Sequence, residues 1–383
     1  VTRRQLVALL ATSYLARVPV TAIPLGLILV ARADGRPYAV AGLLTGVYTL
    51  ALSVTSPLLG GLADRFGAPA VFGVGAPTCA AALAAIGLGP AHGPLPLLLV
   101  LAAIAGAALP PLGALTRGLL TPRLSDERRA RVFAIDATAQ ELCFISGPLV
   151  LALVVAVASA RTSLVALGAF QVVGAIVFWL VGRPLVVARV RTAARSGSPL
   201  RSGALRTVLA IALTTGVLFG AFELAITAAL DAIGERNRAG LLLGIWSVGS
   251  LLGGLMNVRW PGADARRRLT GSLVLSVAAA TLAAAVCGHP WALAAALVAA
   301  GIVQAPLMAC CYVLVPLFVR TRVSEAFGWL TSAVVGGIAI GTALAGGLVD
   351  GHGAAAGFAI GVVAPLLALA LVRGPLARAS PLP

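Results

Sequence analysis

Apolar runs of 18 to 25 residues recur along the whole chain, interrupted by short clusters of glycine, proline and arginine. The hydrocarbon of a bilayer is about 30 Å thick, which about 20 helical residues or about 10 strand residues can cross. Within lipid only helices and closed barrels satisfy their backbone hydrogen bonds, and these runs are far too long for barrel strands. With 10% charged residues, against roughly 25% in a soluble domain, the chain has too little polar surface to coat a water-soluble globule. The pattern therefore predicts an all-α integral membrane protein. Breaking it at Gly, Pro and charged clusters gives twelve spans, near 5–30, 39–62, 70–89, 94–115, 133–158, 163–182, 207–230, 239–257, 269–287, 291–318, 326–348 and 355–372.

All 28 basic residues are arginine and the net charge is +16. In a soluble protein that excess would point to nucleic acid. Here, with the N-terminus inside, 22 arginines fall in cytoplasmic segments, five outside and Arg17 within a span. This is the positive-inside pattern of a plasma-membrane protein with both termini cytoplasmic, and it accounts for the charge without a nucleic-acid partner. The first apolar segment follows Arg3 and Arg4 and has no small-residue cleavage site, so it reads as a span and not as a cleaved signal. Cys79, Cys143, Cys287, Cys310 and Cys311 share no metal-ligand spacing and read as small buried hydrophobes.

The longest polar stretch, Gly182 to Arg206 with six arginines, divides the chain nearly in half. It predicts an N-terminal six-helix bundle over 1–182, a cytoplasmic linker over 183–206 and a C-terminal bundle over 207–383. Internal repetition supports two parallel copies. Ala41-Gly42-Leu43-Leu44-Thr45-Gly46 recurs as Ala239-Gly240-Leu241-Leu242-Leu243-Gly244, with Tyr48 matched to Trp246, while Gly106 and Pro111 recur as Gly301 and Pro306.

Gly60-Gly61-Leu62-Ala63-Asp64-Arg65-Phe66-Gly67 ends the second span and enters a short loop. It resembles the Gly-x-x-x-Asp-Arg-x-Gly signature of the major facilitator superfamily, and with twelve spans, the repeat and the central linker the resemblance covers essentially the whole chain. Within that family the chain is most similar to the bacterial drug and metabolite efflux branch. The resemblance implies two parallel bundles that rock about a central site, no cofactor, and an inner gate in which Asp64 meets the start of span eleven, Ser324-Glu325-Ala326-Phe327. Ala68 and Pro69 stand where the family usually has two basic residues, a charge that Arg117 and Arg128 are placed to supply. Ser146-Gly147-Pro148 in span five resembles the core of the family's antiporter motif without its flanking glycines, which implies efflux. A simple helix kink at Pro148 is the alternative reading.

A charged group at mid-membrane costs roughly 2.5 to 3.5 kcal/mol on insertion scales and needs a partner or a wet cavity. Arg17 lies in span one with Ser13 and Thr21 four residues either side, and Glu141 lies at a similar depth in span five, so the two are expected to pair. Glu223 in span seven has no basic partner within its span. A carboxyl keeps its proton when dry and releases it when wetted, which makes Glu223 the leading proton-coupling candidate and Glu141 the second. Asp136 belongs to a helix start or the inner gate.

Tyr14, Tyr48, Trp246, Gln304 and Tyr312 are the candidates to line a cavity for a small amphipathic solute. Because only Arg17 lies within a span, a neutral or cationic solute is preferred over an anion. Gly337, Gly341 and Ala345 form a close-packing stripe in span eleven. The three histidines share no ligand spacing, so no metal site is expected. No Gly-x-Ser-x-Gly and no phosphate-binding Gly-Lys loop is present, which leaves an enzyme or an ATP-driven pump without its chemistry. The expectation is a monomeric secondary transporter that exchanges protons for a small solute. An uptake symporter and a non-transporting receptor on the same fold are the alternatives.

Overall fold

A computed structural model describes residues 2–36, 38–183, 197–235, 238–259 and 264–378. Most of the expected linker, 184–196, lies outside the described residues. The described residues form thirteen α-helices: α1 (Arg3–Ala33), α2 (Tyr38–Phe66), α3 (Ala68–Leu88), α4 (Leu95–Ala108), α5 (Leu112–Leu120), α6 (Asp126–Val157), α7 (Ala160–Gly182), α8 (Gly203–Ala232), α9 (Ala239–Arg259), α10 (Ala265–Val286), α11 (Pro290–Phe318), α12 (Val323–His352) and α13 (Ala354–Leu371). They make twelve stretches long and apolar enough to cross a membrane, with α4 and α5 forming one. The protein is a multi-pass membrane protein.

Two differences from the sequence pattern have local causes. The fourth span is broken at Leu109-Pro110-Pro111, where Leu109 is extended (φ −66°, ψ 119°). Consecutive prolines remove two backbone donors, and a residue preceding proline avoids the helical region. In α11, a lone proline at the matching position, Pro306, leaves the helix continuous. Secondly, α6 starts at Asp126 rather than near 133, with Asp126 and Glu127 in its first turn, where acids favour a helix start. Hydropathy marks where lipid ends, and the helix runs on into water.

The chain divides into two compact units. One comprises Val1–Arg123, Leu142–Ser198 and Thr321–Trp329, the other Leu124–Glu141, Pro199–Arg320 and Leu330–Pro383. Inside the first, α1 packs on α2 and α7, α2 on α4, and α3 on α4 and α7. Inside the second, α8 packs on α9 and α13, α9 on α11, and α10 on α11 and α13. The neighbour scheme is the same in both, as a parallel duplication requires. The repeated glycines show why the motif repeats. A Cβ on Gly106 would overlap the Tyr48 carbonyl, and one on Gly301 would overlap that of Trp246, with the backbone nitrogens of Leu52 and Ser250 the further contacts. Within lipid, helices are held by close packing and not by expulsion of water, so these contacts set the approach of α2 to α4 and of α9 to α11.

Both glycines face backbone atoms that cannot rotate away. Gly106→Ala and Gly301→Ala should each cost about 1–3 kcal/mol through overpacking and lower the melting temperature in detergent. Gly244→Ala meets open space and should leave it unchanged or slightly raised.

Candidate functional site

The second helix ends at Gly67, whose φ of +89° lies in the left-handed region that glycine tolerates. The turn aims α3 away and leaves Gly60, Gly61 and Asp64 against the first turn of α12. Gly60 permits this approach, since a Cβ there would lie 2.5 Å from the Ser324 carbonyl oxygen. The Glu325 backbone N–H donates to Asp64 Oδ2 at 2.9 Å. A carboxylate thus occupies the N-terminus of a 30-residue helix, where unpaired N–H groups and the helix dipole favour negative charge. Arg322, in the left-handed region at φ 54°, pairs with Glu325 at 2.5 Å. Arg117 lies 5.5 Å over the ring of Phe327. Arg65 is exposed and lies over Phe66.

Deeper in the first unit, Ser13 and Arg17 are buried. Arg17 Nε donates to the Ser13 carbonyl at 3.2 Å, and the Ser13 and Thr116 hydroxyls lie 2.7 Å apart. Thr21 donates to the Cys143 carbonyl at 2.7 Å, and Tyr14 donates to Ser146 at 3.1 Å. A side chain on Gly147 would collide with Thr21, so this glycine is required by the packing of α1 on α6. Helix α6 continues through Pro148. Tyr48 is fully buried in the core, with its hydroxyl unpartnered.

Two sequence expectations are corrected here, the first being the pairing of Arg17 with Glu141, since Glu141 makes no ion pair among the described residues. Arg117 was placed in a cytoplasmic loop, whereas it lies on α5 within the fourth span and is only 4% exposed. Its guanidinium and that of Arg17 both flank Gly113. Two buried arginines, Arg17 and Arg117, therefore stand in the first unit. The apolar run ends near Leu115, but the helix does not.

In the second unit Asp136 and Glu141 are buried on α6. The Glu141 carboxyl stands beside Ser250 of α9, whose hydroxyl makes no hydrogen bond of ordinary geometry. Trp246 sits 6.1 Å from the ring of Phe219 and 5.7 Å from that of Phe222. With Ser276 and Gln304 these rings line a cavity of about 10 Å³, room for about one water molecule. The Gln304 Oε1 is buried without a partner. Tyr312 is buried on α11. Glu223 is exposed on α8, one turn beyond Phe219. Neither Glu141 nor Glu223 makes an ion pair among the described residues. Sequence reading missed Phe219, Phe222, Ser250 and Ser276. The signal it passed over was the i, i+3 aromatic pair beside Glu223, which is ordinary in an apolar helix.

The sequence profile of the Major Facilitator Superfamily matches residues 7–236, more than half of the chain. The chain belongs to the major facilitator superfamily. Solved structures of the same fold include the human organic anion transporter MFSD10 (TETRAN), 18% identical with a TM-score of 0.74 over 97% of this chain and 99% of that one. A bacterial homologue of the iron transporter ferroportin in its outward-facing state is 13% identical with a TM-score of 0.77 over 98% and 100%. The E. coli fucose:proton symporter FucP is 14% identical with a TM-score of 0.71 over 96% and 97%. At these identities the likeness carries the fold. No curated protein matches the chain. As a superfamily member it is a secondary transporter of small molecules that works by alternating access, and not an enzyme.

A superfamily transporter must break one set of closing contacts in every cycle, so such contacts should be local and few. Asp64 makes one charge-assisted bond of this local kind, to the start of α12. Asp64→Asn keeps an acceptor oxygen but removes the charge, worth about 0.3–1 kcal/mol at a helix terminus. Flux in proteoliposomes should fall about two- to five-fold while the melting temperature stays near that of the wild type.

Proposed function

We propose that the protein is a proton-driven exporter of an amphipathic small compound in a bacterial plasma membrane. In this reading the bundles of 1–182 and 207–383 alternate access as a monomer, with both termini and the 183–206 segment cytoplasmic. The observation that carries proton coupling is the pair of intramembrane acids, Glu141 and Glu223, that have no ion pair among the described residues. An acid of this kind in a span is held for ion movement more often than for stability. Glu223 leads because it lies one turn beyond Phe219, whose ring packs on Trp246, and has no ion pair among the described residues. Glu141, next to Ser250, is the second candidate. Efflux is favoured by the Ser146-Gly147-Pro148 resemblance and cytoplasmic termini by the arginine distribution.

In proteoliposomes an imposed pH gradient should drive wild-type flux. Glu223→Gln should lose that response and keep solute binding. Coupling retained in Glu223→Gln but lost in Glu141→Gln would move the role to Glu141, and coupling retained in both would end the proposal. For the topology, reporter fusions after Arg201 and after Arg378 should both report the cytoplasm, and an external signal from either would overturn the orientation.

A further inference from the structure

The start of α8 and the end of α13 enclose an open groove of about 540 Å³ that transport does not explain. Its lining combines the apolar Ala204, Ala210 and Leu371 with the cationic Arg206 and Arg378. Both arginines are exposed, and neither makes an ion pair among the described residues. The Arg206 guanidinium folds back over Gly203, with Nη2 3.9 Å from where a side chain on that glycine would begin. Arg378 is positioned from the neighbouring helix, because Arg266 at the start of α10 donates to the adjacent Ala377 carbonyl at 3.4 Å and lies over the ring of Phe318. Arg373 is also exposed nearby in sequence. The acid beside Arg266, Asp264, caps the start of α10 by accepting the Arg266 N–H.

We propose that this groove binds one anionic phospholipid, with its phosphate between Arg206 and Arg378 and an acyl chain along Ala210 and Leu371. The location supports a lipid over a soluble anion. The groove lies between the first residues of one membrane-spanning helix and the end of another, and it combines two cationic side chains with an apolar lining, as an anionic headgroup and its acyl chain require. Guanidinium groups suit the partner, since a planar fork can hold two phosphate oxygens at once. Thr207 does not compete for the phosphate as a donor, because its hydroxyl is bonded to the Gly203 carbonyl at 3.1 Å. The bound lipid would tie α8 to α13 from outside, at the end of α8 opposite to Glu223.

The test is native mass spectrometry of the full chain in detergent, titrated with phosphatidylglycerol, with phosphatidylcholine, and with inorganic phosphate as competitor. One tight phosphatidylglycerol should bind. Affinity should drop roughly five-fold for each arginine lost and about 30-fold in Arg206→Gln/Arg378→Gln. Ala210→Phe should also displace the lipid, because it fills the groove without changing the charge. Arg3→Gln/Arg4→Gln, a charge loss at α1, should leave affinity unchanged. Four results would overturn the proposal: phosphatidylcholine binding as tightly, affinity retained in the double variant, an equal loss in the Arg3/Arg4 control, or displacement by millimolar phosphate, which would make the site one for a free anion.

Discussion

In hydrocarbon a backbone N–H has no water to bond, so each span must satisfy its own backbone before it can do anything else. Once every span is a helix, burial of apolar side chains no longer drives association, because lipid tails are as apolar as leucine. The helices are held instead by how closely their backbones approach. That is why glycines mark the structure: Gly106 against Tyr48, Gly301 against Trp246, and Gly337 and Gly341 against Leu213 and Val217 on α8. A glycine whose missing side chain admits a backbone carbonyl fixes the position of both helices along their axes. The duplicated neighbour scheme follows from duplicating those few contacts.

The same constraint makes polar groups informative. Hydroxyls in the spans are mostly absorbed by helix carbonyls, as with Thr45, Thr55 and Thr138, each bonded four residues back. Such bonds cost little and say nothing of function. Groups that escape this accounting are few, among them Glu223, Glu141 and the Gln304 carbonyl. Gln304 and Glu141 lie beside Trp246 and Ser250 on α9, so an aromatic surface, an amide and an acid share one part of the second unit.

Much of the fold was legible because the lipid requirement is a matter of length and hydropathy. Twelve spans and the family follow from patterns that survive in one sequence, whereas the compact units exchange two segments, 124–141 and 321–329, that an even division of the chain does not foresee. What was not legible depended on contacts between segments far apart in the chain. The end of the fourth span near Leu115 was read from hydropathy, yet α5 carries Arg117 on, buried against the ring of Phe327 more than 200 positions away. The break at Pro110-Pro111 was readable in principle, since two prolines together leave the backbone no helical choice. Phe219 and Phe222 could not be told from other apolar residues of α8 until Trp246 was placed against them.

The loop after Asp64 shows how a motif can lose residues and keep its physical content. Ala68 and Pro69 carry no charge, so nothing on α3 supplies the cations usual after the signature. Two arginines stand at the same place from other elements: Arg322, paired with Glu325 and lying beside Gly61, and Arg117, stacked on Phe327. The charges around the first turn of α12 are then Asp64 and Glu325 against Arg322 and Arg117, two of each sign. The acid that the helix start carries of its own, Glu325, is paired with Arg322 and so does not face Asp64 as a lone charge. The cations that α3 lacks come from two other elements, Arg117 on α5 and Arg322 just before α12, so Glu325 is not left as a bare charge.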